Sequence, residues 1–262
     1  MKIKEVAEAL ERFAPLPLQE SYDNAGLQIG LTGNEDVSGV LLCLDVTENV
    51  IEEAEMKGCN VIVSHHPLIF RPLRHLTGQT QVERCVAMAI KKNIAIYAAH
   101  TNLDNAPGGV NFVIAEHLGL QHVEFLQPIK GAEGGSGLIG ELPDKGMEVG
   151  AFLKHVASVF KVDGLMHNQV CIDPKIKKVA LCGGAGDFLL DEAIAQQADA
   201  FITGEMGYHR YFGHEEEVLI AVLGHYQSEQ YTIQLLHRIL HNAFPNLRIE
   251  ETSINTNPIV FN

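Results

Sequence analysis

Residues 39–66, GVLLCLDVTENVIEEAEMKGCNVIVSHH, decide the fold class. Residues 39–44 form an apolar run of strand length with no polar face, as expected of a strand buried on both sides. Thr47 stands where a helix N-cap belongs, and Gly58 where that helix should stop. The strand expected at 60–63, apolar from Val61 onward, leads straight into Ser64-His65-His66. Strand, helix, strand in so short a stretch predicts a mostly parallel sheet with helices on its faces.

The same alternation extends in both directions. Upstream, residues 3–13 read as a helix with Val6, Ala9, Leu10 and Phe13 on one face. Downstream, a helix is expected at about 80–92, ended by Asn93. A strand follows at 94–98 and a helix at 108–118, ended by Gly119. The segment 131–137, GAEGGSG, has the composition of a linker. Beyond it the pattern resumes, with strands at 137–141, 178–182, 200–203 and 218–223. Helices are expected at about 148–160, 187–197 and 228–243, and a short last strand at 259–261. The expectation is an α/β protein of two interlinked halves, with mostly parallel or mixed sheets covered by helices. Residues 1–128 carry His65, His66 and Asp104, and residues 129–262 carry His225 and Glu229.

Composition narrows the function. At 262 residues the chain suits two modest domains or one large α/β unit. A net charge of −14 repels phosphate backbones over most of the surface, which argues against nucleic acid as a partner. No apolar run approaches membrane-span length, and the first residues lack the unbroken apolar centre of a secretory signal. A cytoplasmic protein is expected. Cys43, Cys59, Cys85, Cys171 and Cys182 form no CxxC pair. Cys43, Cys171 and Cys182 sit in apolar runs that read as buried strands, so these are expected to be reduced core thiols. That leaves the thirteen histidines as the informative residues.

Three stretches place polar residues directly after a buried strand, where open α/β sheets gather ligands. The first is Ser64-His65-His66-Pro67. Neighbouring side chains on a strand point to opposite faces, so both imidazoles reach one ion only if the chain bends, and Pro67 marks such a break. The alternative is one ion each. In the second, from His100 to Asn111, Asp104 is a hard anionic donor; His100 suits a ligand, an orienting group or an acid/base. In the third, His225 and Glu229 lie four residues apart and share a face if a helix begins soon after Gly224. Packing, capping and solvated polarity are the ordinary uses of each stretch alone. Together they supply three imidazoles and two carboxylates. That is too many for one closed tetrahedral zinc, and few for two ions unless water completes them. Open positions on ions about 3.5–4 Å apart are the arrangement of metal-assisted hydrolysis.

Five strings, Tyr22-Asp-Asn-Ala-Gly-Leu-Gln28, Ser64-His-His-Pro67, Ala99-His-Thr-Asn-Leu-Asp104 through Asn111, Thr203-Gly-Glu205 and Gly224-His-Tyr-Gln-Ser-Glu229, span nearly the whole chain. In that order they resemble the GTP cyclohydrolase I type 2 homologue family, also called the NIF-three-like family. The resemblance implies a dinuclear centre with ligands His65, His66, Asp104, His225 and Glu229, the last as bridge, binding two divalent ions per chain (Zn, Fe, Mn or Ni). It implies a ring-shaped homohexamer. It also implies the family's short form, lacking an inserted domain that would fall near the Gly-rich segment. The expected activity is metal-dependent hydrolysis of a small or nucleotide-like substrate, with His100 and Glu205 as candidate catalytic groups. A metal-handling protein or a regulatory scaffold would carry the same ligands without turnover.

Three further features stand apart from these strings. Cys182-Gly-Gly-Ala-Gly186-Asp187 suits a tight turn, or a phosphate contact at a helix start. His237 and His241, four apart, read as a solvent-facing pair, and His209 as a polar loop residue.

Overall fold

The computed structural model describes residues 1–30, 32–143, 145–170 and 175–260. It comprises two compact units, one formed by Met1–Leu103 with Thr232–Asn262 and the other by Asp104–Tyr231.

The first unit is built on a five-stranded sheet. Val40–Cys43, Val61–Ser64, Ala95–Ala98 and Ile249–Glu251 run parallel, and Gly26–Ile29 pairs antiparallel with Ala95–Ala98. The three central strands are buried at every position, which is why they read as continuous apolar runs rather than alternating ones. Helices Glu48–Met56 and Gln81–Lys91 pack on the face that presents Leu41, Cys43, Ile62 and Ile96. Ile3–Phe13 packs against Thr232–Ala243, which itself lies against the sheet. Thr47 is the N-cap foreseen, its side chain accepting from Val50 N–H at 3.3 Å.

The second unit has a six-stranded mixed sheet. Lys178–Cys182, Ala200–Thr203 and Leu219–Val222 are parallel; Gly135–Glu141, Gln121–Pro128 and Met166–His167 join antiparallel. Helix Leu190–Ala195 covers one face through Leu190 and Ala193, while Val110–Leu118 packs against strands of the same sheet and against Val149–Phe160. A separate two-stranded pair joins Met147–Glu148 to Lys175–Ile176.

Several expectations are corrected. The Gly-rich segment at 131–137 is no linker. It turns a hairpin between Gln121–Pro128 and Gly135–Glu141, with Ile129 N–H donating to the Gly134 carbonyl at 2.8 Å. Turn and linker share a composition, and the polar run QHVEFLQP hid the incoming strand. The compact units therefore do not divide at residue 129. Asp104 opens the second unit, and residues 232–262 return to the first. The helix expected at 228–243 is two helices, His225–Glu229 and Thr232–Ala243. The last strand is Ile249–Glu251; residues 259 and 260 are not strand, and Phe261 lies outside the described residues. Cys43, Cys59, Cys85 and Cys182 are buried free thiols, and Cys171 lies outside the described residues.

Candidate metal centre

In the first unit the parallel strands deliver their polar residues to one sheet edge. Val40–Cys43 leads to Asp45, Val61–Ser64 to His65 and His66, and Ala95–Ala98 to His100. The question of how adjacent histidines share a side is settled by the backbone. His65 and His66 N–H donate to the Cys43 and Leu44 carbonyls at 3.1 and 2.9 Å. The Ser64 hydroxyl folds onto the His66 carbonyl at 2.8 Å. The chain bends there, and the two rings lie with centroids 4.8 Å apart. His100 lies 5.3 and 5.4 Å from them, also by ring centroid.

Each imidazole is oriented through Nδ1. His65 Nδ1 meets the Ala99 carbonyl at 2.8 Å, His66 Nδ1 meets Asp45 Oδ1 at 2.8 Å, and His100 Nδ1 meets Asp23 Oδ1 at 2.7 Å. A carbonyl or an ionised carboxylate only accepts, so Nδ1 carries a proton in all three. Asp23 is suited to that duty. Burial raises its pKa, but the hydrogen bond and charge of His100, the Thr101 hydroxyl and the Asn24 N–H outweigh burial and hold it at about 2. Asp45 behaves alike: burial raises its pKa, and hydrogen bonds from His66 and Thr256 with the histidine charges bring it below the ordinary carboxylate range. A ring nitrogen from each of His65, His66 and His100 fits within a span of 4.8 Å. Three imidazoles, buried or half-buried, each backed by a carbonyl or carboxylate, form a donor set suited to a divalent ion.

The second unit holds an imidazole–carboxylate pair. His225 and Glu229 begin and end one helical turn after Gly224, so they share its face. His225 Nε2 lies 3.3 Å from Glu229 Oε2, and its Nδ1 lies 2.8 Å from Glu205 Oε1. Glu229 is only 4% exposed, and an imidazole and a carboxylate at this spacing are donor types suited to a divalent ion. Asp104 ends the turn Thr101–Asp104, where the Asn111 amide donates to its carbonyl at 3.1 Å.

The Gly-rich turn at 182–187 belongs to this frame. Gly183 N–H donates to Asn111 Oδ1 at 2.9 Å, Gly184 N–H to Ser228 Oγ at 3.0 Å, and Gly186 N–H to Thr203 Oγ1 at 3.1 Å. With these donors engaged inside the unit, the turn acts as scaffold, the first of its two readings. A Cβ on Gly184 would overlap Glu229 Oε1. His237 bonds Glu251 at 2.8 Å, away from these groups in sequence and on the exposed face of its helix. His209 stays exposed against Tyr208 and Phe212.

Asp45 and Thr256 make contacts that the sequence did not point to. Asp45 was findable: it follows a buried strand within two residues, as His65 and His100 follow theirs. Thr256 carries no local signal.

Fold and donor set define an α/β protein with histidine–carboxylate clusters, at the strand ends of both sheets, that are able to hold metal ions. The chain belongs to the Duf34/NIF3 (NGG1p interacting factor 3) family, which it matches over residues 1–258. It is 34% identical to a protein of Lactococcus lactis subsp. lactis (strain IL1403) named GTP cyclohydrolase 1 type 2 homolog, over 98% of both chains. Among solved structures, Staphylococcus aureus protein SA1388 superposes with a TM-score of 0.89 at 28% identity, covering 100% of this chain and 99% of that one. A Bacillus cereus protein related to NIF3 gives 0.87 at 27%, with the same coverage. These matches run end to end with no added domain, as the short form requires. No helix among the described residues is long and apolar enough to cross a membrane.

Proposed function

We propose that this protein is a metal-dependent hydrolase whose centre holds two divalent ions between His65, His66, Asp104, His225 and Glu229. The observation that carries the reading is the clustering of donors: ring nitrogens of His65, His66 and His100 fall within 4.8 Å of one another, and each ring is anchored at Nδ1 by an acceptor. When bound, two such ions would polarise a substrate and lower the pKa of a coordinated water.

The chain's own residues divide the remaining work. Glu229 and Asp104 offset the charge of the ions. Glu205 keeps the proton on His225 Nδ1 and so orients that ring; its contact makes it a positioning group. His100 moves protons at Nε2, while Asp23, ionised down to about pH 2, holds its Nδ1–H. Phe70 packs its ring edge against His100 at 6.2 Å, and Tyr22 lies 6.3 Å beyond it, 62% exposed. That aromatic wall suits a planar, nucleotide-like substrate. The name of the Lactococcus relative points to the same class. A homohexamer and a cytoplasmic location complete the proposal.

The test joins elemental analysis to turnover. Purified protein should carry about two ions per chain, and His65→Ala or Glu229→Ala should lower that number. Loaded protein should hydrolyse at least one member of a panel of nucleotides, cyclic amides and phosphoesters with Zn, Mn or Fe. Full metal content with no turnover, and ready release to a chelating acceptor, would replace the enzyme with a metal-handling protein. Metal-free protein that binds partners equally well with chelator present would favour a regulatory scaffold.

A further inference from the structure

The chain beyond Ile249–Glu251 runs along the carboxyl edge of the first sheet. That strand pairs with Val40–Leu42, and Thr252 N–H continues the ladder to the Leu42 carbonyl at 2.9 Å. Glu53 then clamps the segment. Its Oε1 accepts from Ser253 N–H at 2.9 Å and from the Ser253 hydroxyl at 2.8 Å, and its Oε2 accepts from the Thr252 hydroxyl. Lys57 Nζ ties Glu53 Oε1 at 2.9 Å to the Glu251 carbonyl at 3.0 Å. Ile254 packs onto the core of the same unit. Two residues further on, the Thr256 hydroxyl donates to Asp45 Oδ2 at 2.7 Å, and the other oxygen of Asp45 holds His66 Nδ1.

We propose that Thr256 is a positioning residue for His66, acting through Asp45, and that residues 252–256 are a strap that delivers it. A carboxylate held at one oxygen turns about its terminal torsion, which is broad and two-fold. A donor on the second oxygen fixes the carboxylate plane, and with it the imidazole that the first oxygen holds. Asp45 sits in the turn between Val40–Cys43 and Glu48–Met56, so its plane is not set by either element. The Glu53 clamp places the donor there. Partners behind a ligating histidine typically change metal affinity about 10–100-fold when removed. This inference rests on reading His66 as a metal ligand.

The experiment compares Thr256→Val, which keeps the shape and removes the hydroxyl, with Thr256→Ser, which keeps the hydroxyl. Zn affinity is measured by competition with a chromophoric chelator, and the His66 tautomer by ¹⁵N-resolved NMR of metal-free protein. Thr256→Val should bind the weakest-displaced zinc about tenfold less tightly. Its His66 should lose the single Nδ1–H signature, with the melting temperature held. Thr256→Ser should match the parent in both. Adding Thr256→Val to Asp45→Ala should weaken binding no further than Asp45→Ala alone. Parent-like affinity and spectrum in Thr256→Val, equal loss in Thr256→Ser, or additive losses in the double variant would each overturn the proposal. Should the parent bind no zinc, the metal reading fails by itself, and the tautomer spectrum still decides whether Thr256 sets the ring.

Discussion

Gly184 turns at a φ of +60°, where an L side chain is strained, and any Cβ there would meet the Glu229 carboxylate. Both demands come from one place. The turn must pass close behind Glu229 while its N–H reaches Ser228 Oγ. Gly184→Ala is therefore expected to cost about 1–2 kcal/mol of stability through backbone strain, and to push Glu229 out of position as well. Separating the two effects needs two measurements: denaturant unfolding of the metal-free protein for the strain, and metal content for Glu229. A variant that unfolds earlier yet keeps its full metal complement would mean that Glu229 does not depend on this close approach.

At the scale of elements, the helix Glu48–Met56 is joined to the strap by one buried carboxylate. Glu53 is 4% exposed, and burial alone would raise its pKa from 4.5. Hydrogen bonds from Thr252, Ser253 and Lys57 outweigh burial and bring it to about 2. A carboxyl whose pKa is lower in the folded chain stabilises the fold above its unfolded value. That stabilisation fades as pH falls from about 4.5 to about 2, and at neutral pH it amounts to about 3 kcal/mol. Glu53→Gln should melt well below the parent at pH 7 and close to it at pH 2; a gap that stays constant across that range would refute the assignment. The elements also show what a sequence discloses. Strands such as Val61–Ser64 and Ala200–Thr203 were legible because burial on both faces leaves an unmistakable apolar run. Their tips were legible because a polar residue after such a run has few other reasons to be there. Gln121–Pro128, exposed along most of its length, looks like loop. Ile249–Glu251 depends on a partner more than 200 residues earlier in the chain, and nothing local to it announces the pairing. Asp23, the carboxylate behind His100, was obscured for a related reason, since the two are joined only by the fold.

For the whole molecule, the division into units bears directly on metal binding. The first unit is assembled from both ends of the chain, and the second from its middle. The proposed ligands are distributed between them: His65 and His66 in the first, Asp104, His225 and Glu229 in the second. On that proposed assignment, ions drawing ligands from both units would stabilise both. With free metal at a thousand times its dissociation constant the linkage is worth about 4 kcal/mol. Hydrogen exchange reads this strand by strand. Zinc should slow exchange in Val61–Ser64 of the first sheet and equally in Lys178–Cys182 of the second, and His65→Ala should abolish the metal effect in both. Protection confined to the first sheet would mean that its histidines bind metal alone. The shared centre would then be rejected, while the imidazole cluster of the first unit would stand.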